Sequence, residues 1–328
     1  MELLKKLYGI HSPSGNEKAM KKFIRKYARR HIPGISMGTD NTGNLYITKG
    51  LSDTYPCIVA HLDQVQRRHS RDFEAIETED IIFGYSPQNR RREGLGADDK
   101  NGIWIALKCL EKFECLKVAF FVSEETGCVG SGNADMGFFE DTRFVIEPDR
   151  RGYGDLITEI SYTSLCSHEF LKDSGFEAFG YKEGNGLMTD VLELKENGLK
   201  VSCINLSCGY YEPHTDDEFT VKKDLLNCLG LIEHIIKNCV SVYPHEDMGG
   251  YDGFYSRIDA EVELWDILGS SPELSMEELY HLYRSSFPRL KEEDFERIYN
   301  EYHEFNDEEE SWKDTSWKKA GNTRRLWL

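Results

Sequence analysis

No apolar run in this chain approaches the roughly 20 residues that a membrane-spanning helix needs, so the reading carries no membrane span. Met1-Glu2-Leu3-Leu4-Lys5-Lys6 opens an amphipathic helix and lacks the pattern of a secretory signal. The nine cysteines are odd in number and include no Cys-x-x-Cys pair, which argues for free thiols in a reducing, cytoplasmic compartment. Positive charge is also short. Forty Lys and Arg against 58 Asp and Glu leave a net charge of −18, which disfavours nucleic acid and anionic membranes as partners. Much of that charge reads as solvated surface, so it implies no acidic or basic substrate. No internal repeat of solenoid period is present. What remains is a chain of 328 residues, 39% hydrophobic, able to bury one large domain and an appendage.

The informative features are short polar strings at the ends of apolar runs. His61-Leu62-Asp63 follows Cys57-Ile58-Val59-Ala60, Ser123-Glu124-Glu125-Thr126-Gly127 follows the apolar residues 118–122, and Glu147-Pro148-Asp149 follows Phe144-Val145-Ile146. Gly96-Ala97-Asp98-Asp99-Lys100 lies between the first two, and Pro213-His214-Thr215 comes after the third. In open α/β sheets, ligands bind in the crevice beyond the carboxyl ends of the strands.

Imidazole and carboxylate are zinc ligands, and a pair of ions needs one shared carboxylate, so this set suits a two-metal hydrolase. Strand alternation points residues 61 and 63 to one side, so Asp63 can orient the His61 ring without being a ligand. Adjacent Glu124 and Glu125 suit a division of labour, one carboxylate on a metal and the other free to take a proton. Blander readings exist for each string. His-x-Asp at a strand end is commonly an ordinary hydrogen-bonded pair, and Glu-Glu pairs are commonly solvated. Asp98-Asp99-Lys100 also reads as a helix N-cap, since Ile103, Ala106, Leu107 and Leu110 follow at helical spacing. Those readings do not supply five strings in one order at strand-to-loop junctions.

In order and spelling the motifs resemble the co-catalytic metallopeptidase superfamily of peptidase T, the tetrahedral aminopeptidases, the single-domain zinc aminopeptidases and the acetylornithine-deacetylase relatives. The resemblance covers residues 1–243. It implies that His61 binds one metal with Asp63 orienting it, and that Asp98 bridges both metals and precedes a cis peptide. It further implies Glu124 as general base, Glu125 and His214 on the second metal, and Asp149 completing the first site. Glu147 competes with Asp149 for that place. Asp149 is favoured because Asp149-Arg150-Arg151-Gly152 leads into a glycine-containing turn, as in the aspartate-type members. The implied cofactors are two divalent ions per chain, zinc or else cobalt or manganese.

Thirty-six residues separate His61 from Asp98 and 64 separate Asp149 from His214, too few for the inserted or lid domains that relatives carry at those points. Within the second interval, Leu187-Met188-Thr189-Asp190 resembles a segment that places an aspartate near the substrate's amino end. Asp190 reads equally as an N-cap for residues 191–197. His11-Ser12-Pro13-Ser14-Gly15-Asn16 is a turn before a helix with Met20, Phe23, Ile24 and Tyr27 on one face, and Asn41-Thr42-Gly43-Asn44 separates two short strands.

The expected architecture is therefore an α/β catalytic domain at residues 1–243, a mixed central sheet flanked by helices, then a linker at 244–256 and a small helical, acidic, Trp-rich appendage at 257–328. Ser275-Met276-Glu277-Glu278 is a capping-box start, and Phe295, Ile298, Tyr299 and Tyr302 mark a second amphipathic helix. Trp312, Trp317 and Trp327 and the charge run 307–310 follow. The appendage docks on the domain or binds a partner, which leaves a homo-oligomer or a protein partner open. The functional expectation is an aminopeptidase acting on short peptides. A deacylase of N-acylated amino acids could use the same site. A non-catalytic binding protein would have no use for Glu124.

Overall fold

The computed structural model describes residues 1–160, 163–245, 263–265, 267–269, 271, 274–284, 287, 290 and 292–303. The chain divides into two compact units, Met1–Met248 and Gly249–Leu328. The first begins with helices α1 (Glu2–Tyr8) and α2 (Lys18–His31) and strands β1 (Ile35–Thr39), β2 (Leu45–Lys49) and β3 (Tyr55–His61). Next come β4 (Glu74–Glu77), β5 (Ile81–Ser86), β6 (Arg91–Arg92), α3 (Ala97–Lys112), β7 (Leu116–Phe121), α4 (Val129–Gly132) and β8 (Thr142–Arg150). Then follow β9 (Asp155–Ile160), β10 (Thr163–Ser164), α5 (His168–Ser174), β11 (Lys182–Gly186), α6 (Asp190–Glu196), β12 (Cys203–Ser207), β13 (Tyr210–Tyr211), β14 (Phe219–Val221) and α7 (Lys222–Asn238).

Nine strands form the central sheet, in the order β1-β2-β7-β3-β8-β12-β9-β10 with β11 also on β9. Its middle strands β7, β3, β8 and β12 are parallel, with Ile58 opposite both Val118 and Ile146. Parallel strands covered on both faces read as unbroken apolar runs, and every residue of β3 and β7 is buried. Alternation then sorts them. Ile58, Ala60, Val118, Phe120 and Ile146 face a core shared with α1, α2, α3 and α7, while Cys57, Val59, Ala119, Phe121 and Val145 face Phe139 and the α6 residues Val191 and Leu194. The mixed sheet flanked by helices is the architecture expected from the sequence.

Helix α3 is the central helix: residues 97–107 are all buried, which the sequence from Gly102 to Leu107, apolar all round, allows. The residues between His61 and Asp98 form β4, β5 and β6, which join β13 and β14 in a small antiparallel sheet. Those between Asp149 and His214 supply β9 to β12, α5 and α6. Neither interval builds a separate domain.

All nine cysteines are free; eight are buried and Cys115 is half-exposed. Burial raises the Cys203 thiol to about 12. Among the described residues no helix is long and apolar enough to cross a membrane.

In the second unit a helix spans Met276–Tyr283 behind the expected capping box, with the Glu278 amide donating to Ser275 Oγ at 3.3 Å and the Ser275 amide to Glu278 Oε2 at 3.0 Å. Another helix covers residues 292–303, and Leu264, Leu268, Leu279, Phe287, Phe295 and Ile298 form this unit's own core. The expected linker from residue 246 onward, the charge run 307–310 and Trp312, Trp317 and Trp327 lie outside the described residues.

Candidate metal centre

Five chain segments converge near the carboxyl ends of the parallel strands. His61 is the last residue of β3, its Nε2 2.9 Å from Asp98 Oδ1 and 3.5 Å from Asp149 Oδ2. Asp149 is the penultimate residue of strand β8. The other oxygen of Asp98, Oδ2, lies 3.3 Å from His214 Nε2, which is in turn 3.2 Å from Glu125 Oε2. Two groups thus share one carboxylate: His61, Asp98 and Asp149, and Asp98, Glu125 and His214. Each offers three ligand atoms within 4.8 Å of one another. Glu124 Oε2 stands 3.8 Å from His61 Nε2.

The local sequence explains how these side chains are aimed. After β7, Ser123 adopts a left-handed conformation (φ 54) and starts the short 3-10 turn Glu124–Thr126, which splays the two glutamates apart. Asp63 holds that turn: its carboxylate accepts from the amides of Glu124 at 3.0 Å and Glu125 at 3.3 Å and from Ser14 Oγ at 2.7 Å. Its Oδ1 also faces His61 Nδ1 at 3.5 Å, beyond a good hydrogen bond. Asn44, fully buried, brackets the same loop by accepting from the Val122 amide at 3.1 Å and donating to the Gly130 carbonyl at 2.8 Å. Asp40 fixes Asn44 in turn at 2.7 Å.

The peptide between Asp98 and Asp99 is cis, as the resemblance implied. Asp99, also buried, does the capping: its Oδ1 accepts from the Gly102 amide at 2.8 Å and its Oδ2 from the His61 amide at 3.3 Å. The two readings of this string, ligand and cap, thus fall to adjacent residues. Glu218 accepts from the amides of Gly96 at 2.6 Å, Ala97 at 2.9 Å and Asp98 at 3.2 Å. Gln66 Nε2 donates to it at 3.0 Å, Gln64 Nε2 donates to Gln66 Oε1 at 3.1 Å, and buried Lys100 donates to Gln64 Oε1 at 2.5 Å. Burial raises Glu218 to about 8 and lowers Lys100 to about 7.

Glu147 and Asp149 separate clearly. Glu147 accepts from Thr189 Oγ1 and from the amides of Asp190 at 3.2 Å and Val191 at 3.3 Å, so it caps α6, while Asp149 faces His61. Asp190 therefore does not serve as the cap. One of its oxygens takes the Ser131 hydroxyl, and Oδ2 is buried without a hydrogen-bond partner. Burial raises Asp190 to about 7, and its charge adds to the burial that raises Glu124. Beside Asp149 lies a cavity of about 80 Å³ lined by Ile157, Ile160, Leu187 and Met188 and by the polar Arg150, Thr189 and Asn205.

The residues present fit a pair of divalent cations. Burial raises Asp149, Glu124 and Glu125 above the usual carboxylate range, and Asp98 and Glu125 hold His214 protonated, its pKa raised to about 10. A protonated imidazole here stands where further positive charge is wanted. Glu125 Oε1 is buried without a hydrogen-bond partner, and the donors are the nitrogen and oxygen types that zinc, cobalt and manganese accept.

Ser14, Asn44 and Glu218 are the supports that reading along the sequence did not single out, whereas Asp99 lay in the string read as an N-cap.

No protein-family model matches this sequence, and none of the curated proteins matches it. Solved structures do match. The aminopeptidase PepT of Bacillus cereus aligns at 14% identity and a TM-score of 0.58, covering 73% of this chain and 98% of that one. A tripeptidase of Staphylococcus aureus aligns at 13% and 0.58, covering 73% and 97%. An aminopeptidase of the archaeon Desulfurococcus kamchatkensis aligns at 17% and 0.57, covering 74% and 96%. With its parallel central strands and polar strand ends, the chain has the α/β fold of these peptidases.

Proposed function

We propose that this chain is a cytoplasmic two-metal aminopeptidase acting on short peptides. The observation that carries the reading is the placement of Asp98, one oxygen toward His61 and the other toward His214, each pair completed by a second carboxylate. His61, Asp98 and Asp149 would hold one ion, and Asp98, Glu125 and His214 the other. Bound there, two divalent ions polarise a scissile carbonyl and make water acidic enough to attack near neutral pH. Glu124 stands beside His61 without completing either group, so it is free to take the proton of the attacking water and pass it to the leaving amine. Asp63 holds the Glu124–Thr126 turn through two amides and faces the His61 ring at 3.5 Å. The free thiols agree with a reducing compartment.

The unpartnered Asp190 Oδ2 supports a site for the substrate's ammonium group. Blocking the amine would leave a desolvated carboxylate unpaired, at about 2 kcal/mol or more. A panel of free and acetylated di- and tripeptides, read by mass spectrometry, tests this. Free peptides are expected to be cleaved at least ~30-fold faster than their acetylated forms. Preferential release of acetate would move the chain to the deacylases, and no hydrolysis by metal-loaded protein would remove the enzymatic reading altogether.

A further inference from the structure

In a chain of net charge −18, helix α2 stands apart: Lys18, Lys21, Lys22, Arg25, Lys26, Arg29 and Arg30 occupy half of its 14 positions, and it contains no acidic residue. The opposite face, with Met20, Ile24 and Ala28, is buried in the core. The seven cations therefore form one outward stripe about 20 Å long. Lys18, Lys22, Lys26, Arg29 and Arg30 are exposed, Lys21 and Arg25 half-buried. Among the described residues none of the seven takes part in an ion pair. Lys21 donates to the Gly43 carbonyl at 2.9 Å. The stripe borders a groove of about 870 Å³ whose other wall is Thr39, Asp40 and Gly43. Asp40, the one carboxylate on that lining, is turned to Tyr46 Oη at 2.7 Å, to Asn44 Nδ2 at 2.7 Å and to the amides of Gly43 and Asn44.

This arrangement works against the helix that carries it. Residues 18 and 22, 21 and 25, 22 and 26, 25 and 29, and 26 and 30 are like charges four apart, each opposing helix formation. Solubility does not ask for such a stripe in a protein already far from neutral. The groove has the volume of a ligand-sized cleft, of order 300–1,000 Å³, and is bounded by one helix and one turn. A nucleic-acid duplex or a membrane extends past the stripe and would press its charge against the remaining, strongly acidic surface. A single extended chain would not.

We propose that the α2 groove is a docking site for an acidic polypeptide segment, one rich in Glu and Asp, independent of the metal centre. The recognition is charge complementarity along the stripe, with Arg25 and Arg29 able to grip carboxylates in bidentate fashion.

The test uses the full chain and a decaglutamate peptide, acetylated so that an aminopeptidase leaves it intact and labelled at its other end. Fluorescence anisotropy at 0.15 M salt is expected to show saturable binding that weakens steeply as salt rises. Combined Lys22→Glu, Arg25→Glu and Arg29→Glu should weaken it at least ~30-fold. The neutral set Lys22→Gln, Arg25→Gln and Arg29→Gln, matched in circular dichroism to the parent, should weaken it at least ~5-fold. Reversing exposed Lys172, Lys200 and Lys237 instead should change it less than ~3-fold. Absence of saturable binding, equal losses from the two reversed sets, no loss in the neutral set, or tighter binding to an oligouridylate or to phosphatidylserine vesicles would each overturn the proposal.

Discussion

Glu124 and Glu125 are neighbours in sequence with opposite surroundings. Glu125 faces His214 at 3.2 Å, while Glu124 approaches His61 at 3.8 Å and accepts from the Cys128 thiol at 3.5 Å. Removing the proton acceptor while keeping its shape should separate their roles. Glu124→Gln is expected to keep metal content near two ions per chain while kcat falls at least ~10². Glu125→Gln should lose metal, as should Asp149→Asn. Glu147→Gln should keep it and lower stability by about 1–2 kcal/mol, because it weakens the cap of α6. Metal analysis beside kinetics decides each case, and wild-type kcat in Glu124→Gln would sink the base assignment. His61, Glu124 and Asp149 were visible in the sequence because ligand-type residues just after apolar runs are rare enough to notice, whereas Asp98 and His214 were named through the motif resemblance. Glu218 was not, since Asp216-Asp217-Glu218 looks like a solvated acidic string and its amide partners lie some 120 positions away.

At the level of elements, the apolar runs of β3, β7 and β8 identify themselves, whereas β6 and β13 span two residues each and β14 three, too short to carry a period. The spacing from Ile103 to Leu110 marks α3 but not how completely it is buried. The loop after β7 depends on a contact of the same unreadable kind, Asn44 to Val122 and Gly130, across 78 and 86 positions. Asn44→Ala leaves a buried amide and carbonyl unpaired. It is expected to cost about 1–3 kcal/mol by denaturant unfolding and to lower kcat/KM with metal content unchanged. Asn44→Asp tests geometry against charge, since it keeps the acceptor for the Val122 amide and loses the donor to Gly130. Unchanged kcat/KM in both variants would show that the loop is held from elsewhere.

Across the whole molecule, ions bound as proposed among the buried carboxylates of the site would couple stability to loading. Elemental analysis should find about two divalent ions per chain. Chelation should abolish activity and lower Tm, and zinc, cobalt or manganese should restore both. A protein whose Tm ignores chelation would contradict the coupling. The thiols offer a further handle. With eight of nine cysteines packed inside and unbridged, only Cys115 meets the solvent. The folded chain should thus accept one equivalent of a thiol-alkylating reagent quickly and the other eight only as fast as it opens. Mass spectrometry of a timed alkylation then becomes a clock for breathing motions. The order in which Cys128 beside Glu124, Cys208 after β12, and Cys109 within α3 take up label would chart which parts of the molecule loosen first, with no engineered probe.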